Sequence, residues 1–162
     1  MYAGRETEMD EANQDPENGN GLYTLGLACC IGISVCGTYS QQAQPGEIRH
    51  NAFLAHLADG PAMERTWKSL ESKVDRAKKS GLMGLRIQVC VVDPSTLRED
   101  KEMRWSKDMV DGQRRINDVY ISKAAGLRDG SLRSGVEVYR HHINDIVDMR
   151  ITRDRIMLIA KA

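Results

Sequence analysis

Apolar and polar positions alternate in short runs over most of the chain, and only two stretches repeat with helical spacing. Tyr23 to Val35 holds two apolar runs interrupted by Gly26 and Gly32. It is too short and too glycine-rich for a helix, which predicts strand, tight turn, strand. Gly37 to Arg49, with Gln41, Gln42, Gln44, Pro45 and Gly46, predicts a loop, and Asn51 to Leu57 a further strand. Asp59-Gly60-Pro61 then opens the clearest helix. Met63, Trp67, Leu70 and Val74 form its apolar stripe, Ala77 extends it and Ser80-Gly81 ends it. Leu85, Ile87, Val89 and Val91 alternate with Arg86, Gln88, Cys90 and Val92, a half-buried strand closed by Asp93-Pro94. Thr96 to Lys107 is charged and aperiodic and reads as a loop. Gly112 to Ala125 predicts a second helix, with Ile116, Val119, Tyr120 and Ala124 on one side and Gly126 as its cap. Turns at Asp129-Gly130 and Ser134-Gly135 lead into three strands, Val136–Ile143, Ile146–Thr152 and Arg155–Ala160, the last two a hairpin across Arg153-Asp154. This order is not the regular alternation of a doubly wound sheet. It predicts an α+β protein, a layered sandwich of mixed β-sheet with helices packed on it.

Residues 1–20 show no hydrophobic period and are rich in Asn, Asp and Glu, which predicts a disordered acidic tail ahead of a single domain over residues 21–162. The tail also hides a charge asymmetry. The whole chain has 23 basic and 23 acidic residues, but the first 20 hold six acidic residues and only Arg5, so the remainder is 22 basic against 17 acidic, or +5. That excess favours an acidic partner surface, yet it is too small for a nucleic-acid footprint. No apolar run is long enough to span a membrane, and the N-terminus is not a secretory signal. The four cysteines form no disulfide-like framework and suit a reducing, cytoplasmic setting. Neither metal-ligand spacing nor a phosphate-binding glycine loop is present, so no metal and no cofactor are expected.

The chemistry lies in the glycine-rich pair of strands. Cys30 sits among small residues at the mouth of the turn, and His56 lies inside the short apolar run that follows. Together they are the minimum parts of a thiol nucleophile and its base. Cys29 is the rival nucleophile, but alternation points the two thiols to opposite faces. Backbone amides around Ala28 to Ile31 are the candidate oxyanion donors, those of Ala28, Cys29 and Ile31 in particular. His50 and the His141-His142 pair stand in no comparable context.

Thr24-Leu25-Gly26-Leu27-Ala28-Cys29-Cys30 resembles the T-L-G-L-G-S-C stretch of the CheD-type chemoreceptor glutamine deamidases, with Ala28-Cys29 replacing Gly-Ser. Ala55-His56 resembles the G-x-M-A-H segment of that family, whose Cys-His core is shared with the cytotoxic necrotizing factor toxins. The resemblance implies Cys30 as nucleophile, His56 as base and Thr24 as the residue assisting the histidine. It also implies a cysteine-dependent deamidase acting on a glutamine of a partner protein, in the fold class already expected. The gap to the histidine is longer than in the bacterial family and the downstream Gly-Gly-Ala segment is missing, so the chemistry carries over rather than a chemotaxis role, and an effector exported into a host cell fits equally. A Cys-His amidohydrolase or transglutaminase would use the same parts, and an inactive relative that only binds a partner would share the surface.

Two expectations follow about how the site works. A Cys–His pair in a partly dry site predicts a thiol pKa well below the ordinary value of about 8.5. The Gly37–Arg49 loop, read as lying beside the nucleophile, predicts substrate selection there, together with a net-positive face.

Overall fold

The computed structural model describes residues 2–128 and 136–161. The predicted turns at Asp129-Gly130 and Ser134-Gly135 lie outside the described residues. The order of elements is β1 (Arg5–Glu6), β2 (Glu11–Pro16), β3 (Leu22–Leu27), β4 (Ile31–Thr38), β5 (His50–Leu57), α1 (Met63–Lys79), β6 (Met83–Val92), a 3-10 turn (Pro94–Glu99), α2 (Lys107–Ala125), β7 (Val136–His141), β8 (Val147–Ile151) and β9 (Met157–Lys161). The strands form two sheets, ordered β1-β3-β8-β9 and β2-β5-β4-β6-β7. Both are mixed, because β1 runs parallel to β3 and β6 parallel to β7 while the other pairs are antiparallel. The α+β layered sandwich is therefore as the pattern predicts. No helix among the described residues is long and apolar enough to cross a membrane.

Side-chain alternation explains the layers. On β4, Ile31, Ile33 and Val35 face the helices and pack with Phe53, Ala55, Leu57, Trp67, Leu70 and Val74. The intervening Cys36, with Ala52, Leu54 and Cys90, faces the other sheet and meets Leu22, Leu27, Val147, Met149 and Ile151. The large branched residues of β4 thus fill the gap to the helices, while its small ones let the two sheets approach. Gly32 shows how closely: a Cβ there would collide with Met149 Sδ and lie 2.8 Å from Leu27 Cδ1. β6 was expected to be half-buried, but from Gln88 to Val92 both faces are covered, one by helices and one by the second sheet.

Trp67 is buried in the core and meets Tyr120 edge-on at 6.2 Å, joining α1 to α2. α1 begins at Met63, with Asp59-Gly60-Pro61 in the preceding turn rather than capping it. α2 starts earlier than predicted, capped by Ser106, whose side chain accepts from the Met109 amide. Its inward face also differs: Val119 is exposed, and Gln113 and Asn117 are buried beside Tyr120 and Ala124.

The acidic tail corrects the sequence reading most. Residues 1–20 were expected to be disordered, yet β2 pairs with the edge of β5 from Glu11↔His56 to Pro16↔His50, and β1 pairs with β3. The strand escaped a hydrophobicity reading because its buried positions are Ala12, Asn13 and Asp15. Their polar groups are satisfied by specific partners: Asn13 Nδ2 donates to Thr7 Oγ1 at 3.2 Å, and Asp15 accepts from the Gly21 amide at 3.0 Å and pairs with Arg155 at 2.8 Å.

Candidate functional site

The sheet register brings the predicted residues to one end of the sandwich. β4 and β5 pair with Gly32 opposite His56. Cys30 lies in the bend before β4, two residues ahead of Gly32, and packs against the cluster between the sheets, the side toward which Gly32 and His56 turn. Both cysteines lie in the bend between β3 and β4 rather than on a strand, and their thiols pack against different clusters. Cys29, like Trp105 and Val110, packs against Val92, Leu97 and Ile143.

Thr24 comes to His56 from the opposite sheet. Gly26, at φ +71°, makes the bulge between Thr24 and Leu27, and its amide donates to Asp148 at 3.1 Å. Thr24 Oγ1 lies 2.7 Å from His56 Nδ1 and 2.6 Å from the Thr7 carbonyl. A carbonyl can only accept, so the single hydroxyl proton of Thr24 goes to Thr7. The hydroxyl oxygen must then accept from His56 Nδ1–H. This fixes the tautomer and leaves Nε2 with a free lone pair, the form required of a base. The threonine contacts the histidine through its side chain. His56 is only 4% exposed and Nε2 has no partner among the described residues; leaving such an acceptor unmet costs about 1–3 kcal/mol.

Two groups from the acidic tail complete this arrangement, and sequence reasoning missed both. One is the Thr7 carbonyl. The other is Asp10, at φ +66° in the turn before β2, whose amide donates to the His56 carbonyl at 2.9 Å. Its charge acts on both candidate residues, favouring a protonated His56 and opposing a Cys30 thiolate. His141 was also passed over. It is buried on β7, opposite Val92, with Nδ1 held 2.9 Å from the His142 carbonyl and Nε2 unpartnered. The Ala28 carbonyl acts on its ring without bonding Nε2, which puts His141 next to the cysteine turn. Its position in a late strand gave no local signal.

The thiol contradicts the expected low pKa. Burial, then Cys29, then Asp10 push the Cys30 thiol up to about 11, against a smaller opposing effect of its own amide N–H. No cation offsets them, because burial lowers the pKa of His56 and keeps it neutral. The resting pair is therefore thiol and imidazole, and the proton must move as the sulfur attacks.

Burial also lowers the pKa of His50 and His141. A histidine whose folded pKa lies below its unfolded value of about 6.5 stabilises the fold above that pH and loses the contribution as pH falls through the folded pKa. The unfolding free energy from urea titrations is therefore expected to drop from pH 7.5 to pH 5, by at most about 1.4 kcal/mol per pH unit for a buried histidine and by less for the half-buried His50, whose charge water screens. His141→Gln is expected to flatten the curve, and a midpoint constant over that range would refute the assignment.

The loop expectation also needs correction. Residues 39–49 join the far ends of β4 and β5, about 20 Å or more along the strands from Cys30. An eight-residue hairpin arm cannot bring its closing loop back to its open end. The loop instead lines an open cleft of about 500 Å³ with Glu17, Tyr39 and Arg49. The segments that do flank the cysteine end are 7–10, 58–62, 93–106 and 142–146. They carry eight acidic residues against three basic ones, so the surface there is acidic rather than net-positive. Met9, Met103 and Ile146 are exposed on them. Among the described residues, no group of three or more His, Cys, Asp or Glu side chains is placed to hold a metal.

Compared with known proteins, the chain matches no family model, and no curated protein matches it.

Proposed function

We propose that this protein is a cysteine-dependent deamidase that converts a glutamine side chain of a partner protein to glutamate. The observation that carries the reading is the Thr7–Thr24–His56 relay, which leaves a buried, unpartnered Nε2 lone pair on the side of the sheet where Cys30 packs. In the reaction, Cys30 Sγ adds to the carboxamide carbon as Nε2 takes the thiol proton. The imidazolium returns that proton to the departing nitrogen, which leaves as ammonia. Nε2 then draws a proton from water, whose oxygen attacks the thioester, and the thiol is regenerated with glutamate as product. Thr24 holds the ring in one tautomer, and Asp10 favours the transient imidazolium.

Substrate choice follows from the flanking segments. An acidic surface with exposed methionines fits a glutamine on a basic, partly apolar surface of a folded partner, where flexible thioethers adapt to different shapes. The test is incubation of purified candidate partners with the wild type and with Cys30→Ala, read by ammonia release and peptide mapping for glutamine-to-glutamate conversion. Conversion by wild type alone is expected. Cross-linking to an added amine in place of hydrolysis would reassign the protein as a transglutaminase.

The raised thiol pKa favours a second reading, a catalytically inactive module that binds a partner through the same surface. A glutamine-like chloroacetamide that labels Cys30 in the wild type but not in His56→Ala supports the enzyme; no labelling in either supports the module.

A further inference from the structure

α2 turns two amide side chains toward the sheet where an apolar stripe would bury more hydrophobic surface. Gln113 and Asn117 are 6% and 1% exposed. Asn117 Nδ2 donates to the carbonyl of Val92, the last residue of β6, at 2.9 Å. That leaves Asn117 Oδ1 to accept from Gln113 Nε2 at 2.9 Å, and the same Nε2 donates to the Cys29 carbonyl at 3.3 Å. Flipping either amide would set acceptor against acceptor, so the chain of bonds has one direction. Burying two amides is costly unless each is bonded, and here they bond to the backbone beside the cysteine turn.

We propose that Gln113 is a positioning residue that turns the Cys30 amide N–H toward the space beside its own thiol, making that N–H the oxyanion donor. The inference rests on the deamidase reading for its function. No cis peptide bond is present among the described residues, and in a trans peptide the C=O and N–H point in opposite directions. Gln113 draws the Cys29 carbonyl toward α2, on the helix side of the sheet. The N–H of Cys30 therefore points away from α2, toward the gap between the sheets where the Cys30 side chain packs. The same amide favours the Cys30 thiolate, which is consistent with sulfur and N–H sharing one side. A carboxamide attacked by that sulfur brings its oxygen to the same donor. The expected donors were Ala28, Cys29 and Ile31; this geometry selects the nucleophile's own amide instead.

The test uses the full chain and needs no substrate. Cys30 alkylation by iodoacetamide is followed by peptide mapping from pH 7 to pH 11 in the wild type and in Gln113→Met, which keeps the shape but removes the donor. The variant is expected to react about threefold to tenfold more slowly at a given pH, with its profile displaced to higher pH, as for a hydrogen bond to an ionised group that is weakened by misalignment rather than lost. An unchanged profile alongside a lower melting temperature would show a merely structural role and overturn the proposal. Should Gln113→Met not fold, the wild type decides. Its Cys30 amide proton is expected to shift downfield more than those of Ala28, Cys29 and Ile31 as the thiol ionises, and a larger response from any of those three refutes the assignment. A protein that reports this geometry yet converts no glutamine would sink the functional reading alone, through the partner assay.

Discussion

Cys30→Ala is expected to lower amide hydrolysis by about 10⁴-fold or more, the usual consequence of removing a covalent nucleophile. Cys29→Ala is expected to stay within a few-fold of the wild type. Neighbouring thiols on opposite sides of a chain cannot serve the same histidine. Cys30 packs against the cluster between the sheets, the side toward which His56 turns, while Cys29 packs against Val92, Leu97 and Ile143. Removing the Cys29 thiol opens a small gap among those side chains, at a cost of about 1 kcal/mol. Measuring ammonia release from a converted partner, alongside thermal melting of both variants, checks the pair. A dead Cys29→Ala beside a live Cys30→Ala would move the nucleophile by one residue and sever it from the Thr24–His56 relay.

Deleting residues 2–16 is expected to abolish the cooperative thermal transition, an outcome opposite to that of trimming a solvated leader. The deletion strips β2 from β5 and removes the Thr7 carbonyl from the site. It also strips Asp15 and Pro16 from the Arg155 guanidinium, which keeps the Asn51 side chain and the Thr152 carbonyl among the described residues. Arg155→Ala is the milder form of the same experiment. Arg155 and Asp15 have side chains only 10% and 11% exposed, and breaking a buried pair from one side typically costs about 3–5 kcal/mol. Urea denaturation of the variant measures this directly. A truncated chain that melts like the full one would mean that β1 and β2 contribute nothing to stability.

What the sequence determined by itself is what hydrophobic spacing and local chemistry encode. The apolar stripe Met63–Trp67–Leu70–Val74 specified α1, because a helix buries residues three and four apart whatever it packs on. Alternation specified β4, β5 and β6 and the last hairpin. Local context offered Cys30 and His56 as candidates, and Thr24 entered only through the resemblance of the short Thr24–Cys30 stretch to the CheD-type motif.

Other features required the folded chain, because their determinants are distant in sequence or polar. β2 buries Asn13 and Asp15, and such residues read as solvated until Thr7, Gly21 and Arg155 supply their partners. Gln113 and Asn117 carry no apolar signal for the helix face they occupy; their reason for facing inward is two carbonyls contributed by other elements. The position of the 39–49 loop depends on strand length and pairing rather than on its nearness in sequence to Cys30. Protonation follows the same rule. Cys next to His in a motif implies an acidic thiol, but the pKa is set by what surrounds the sulfur, and only tertiary packing decided that burial, Cys29 and Asp10 would hold it as a thiol.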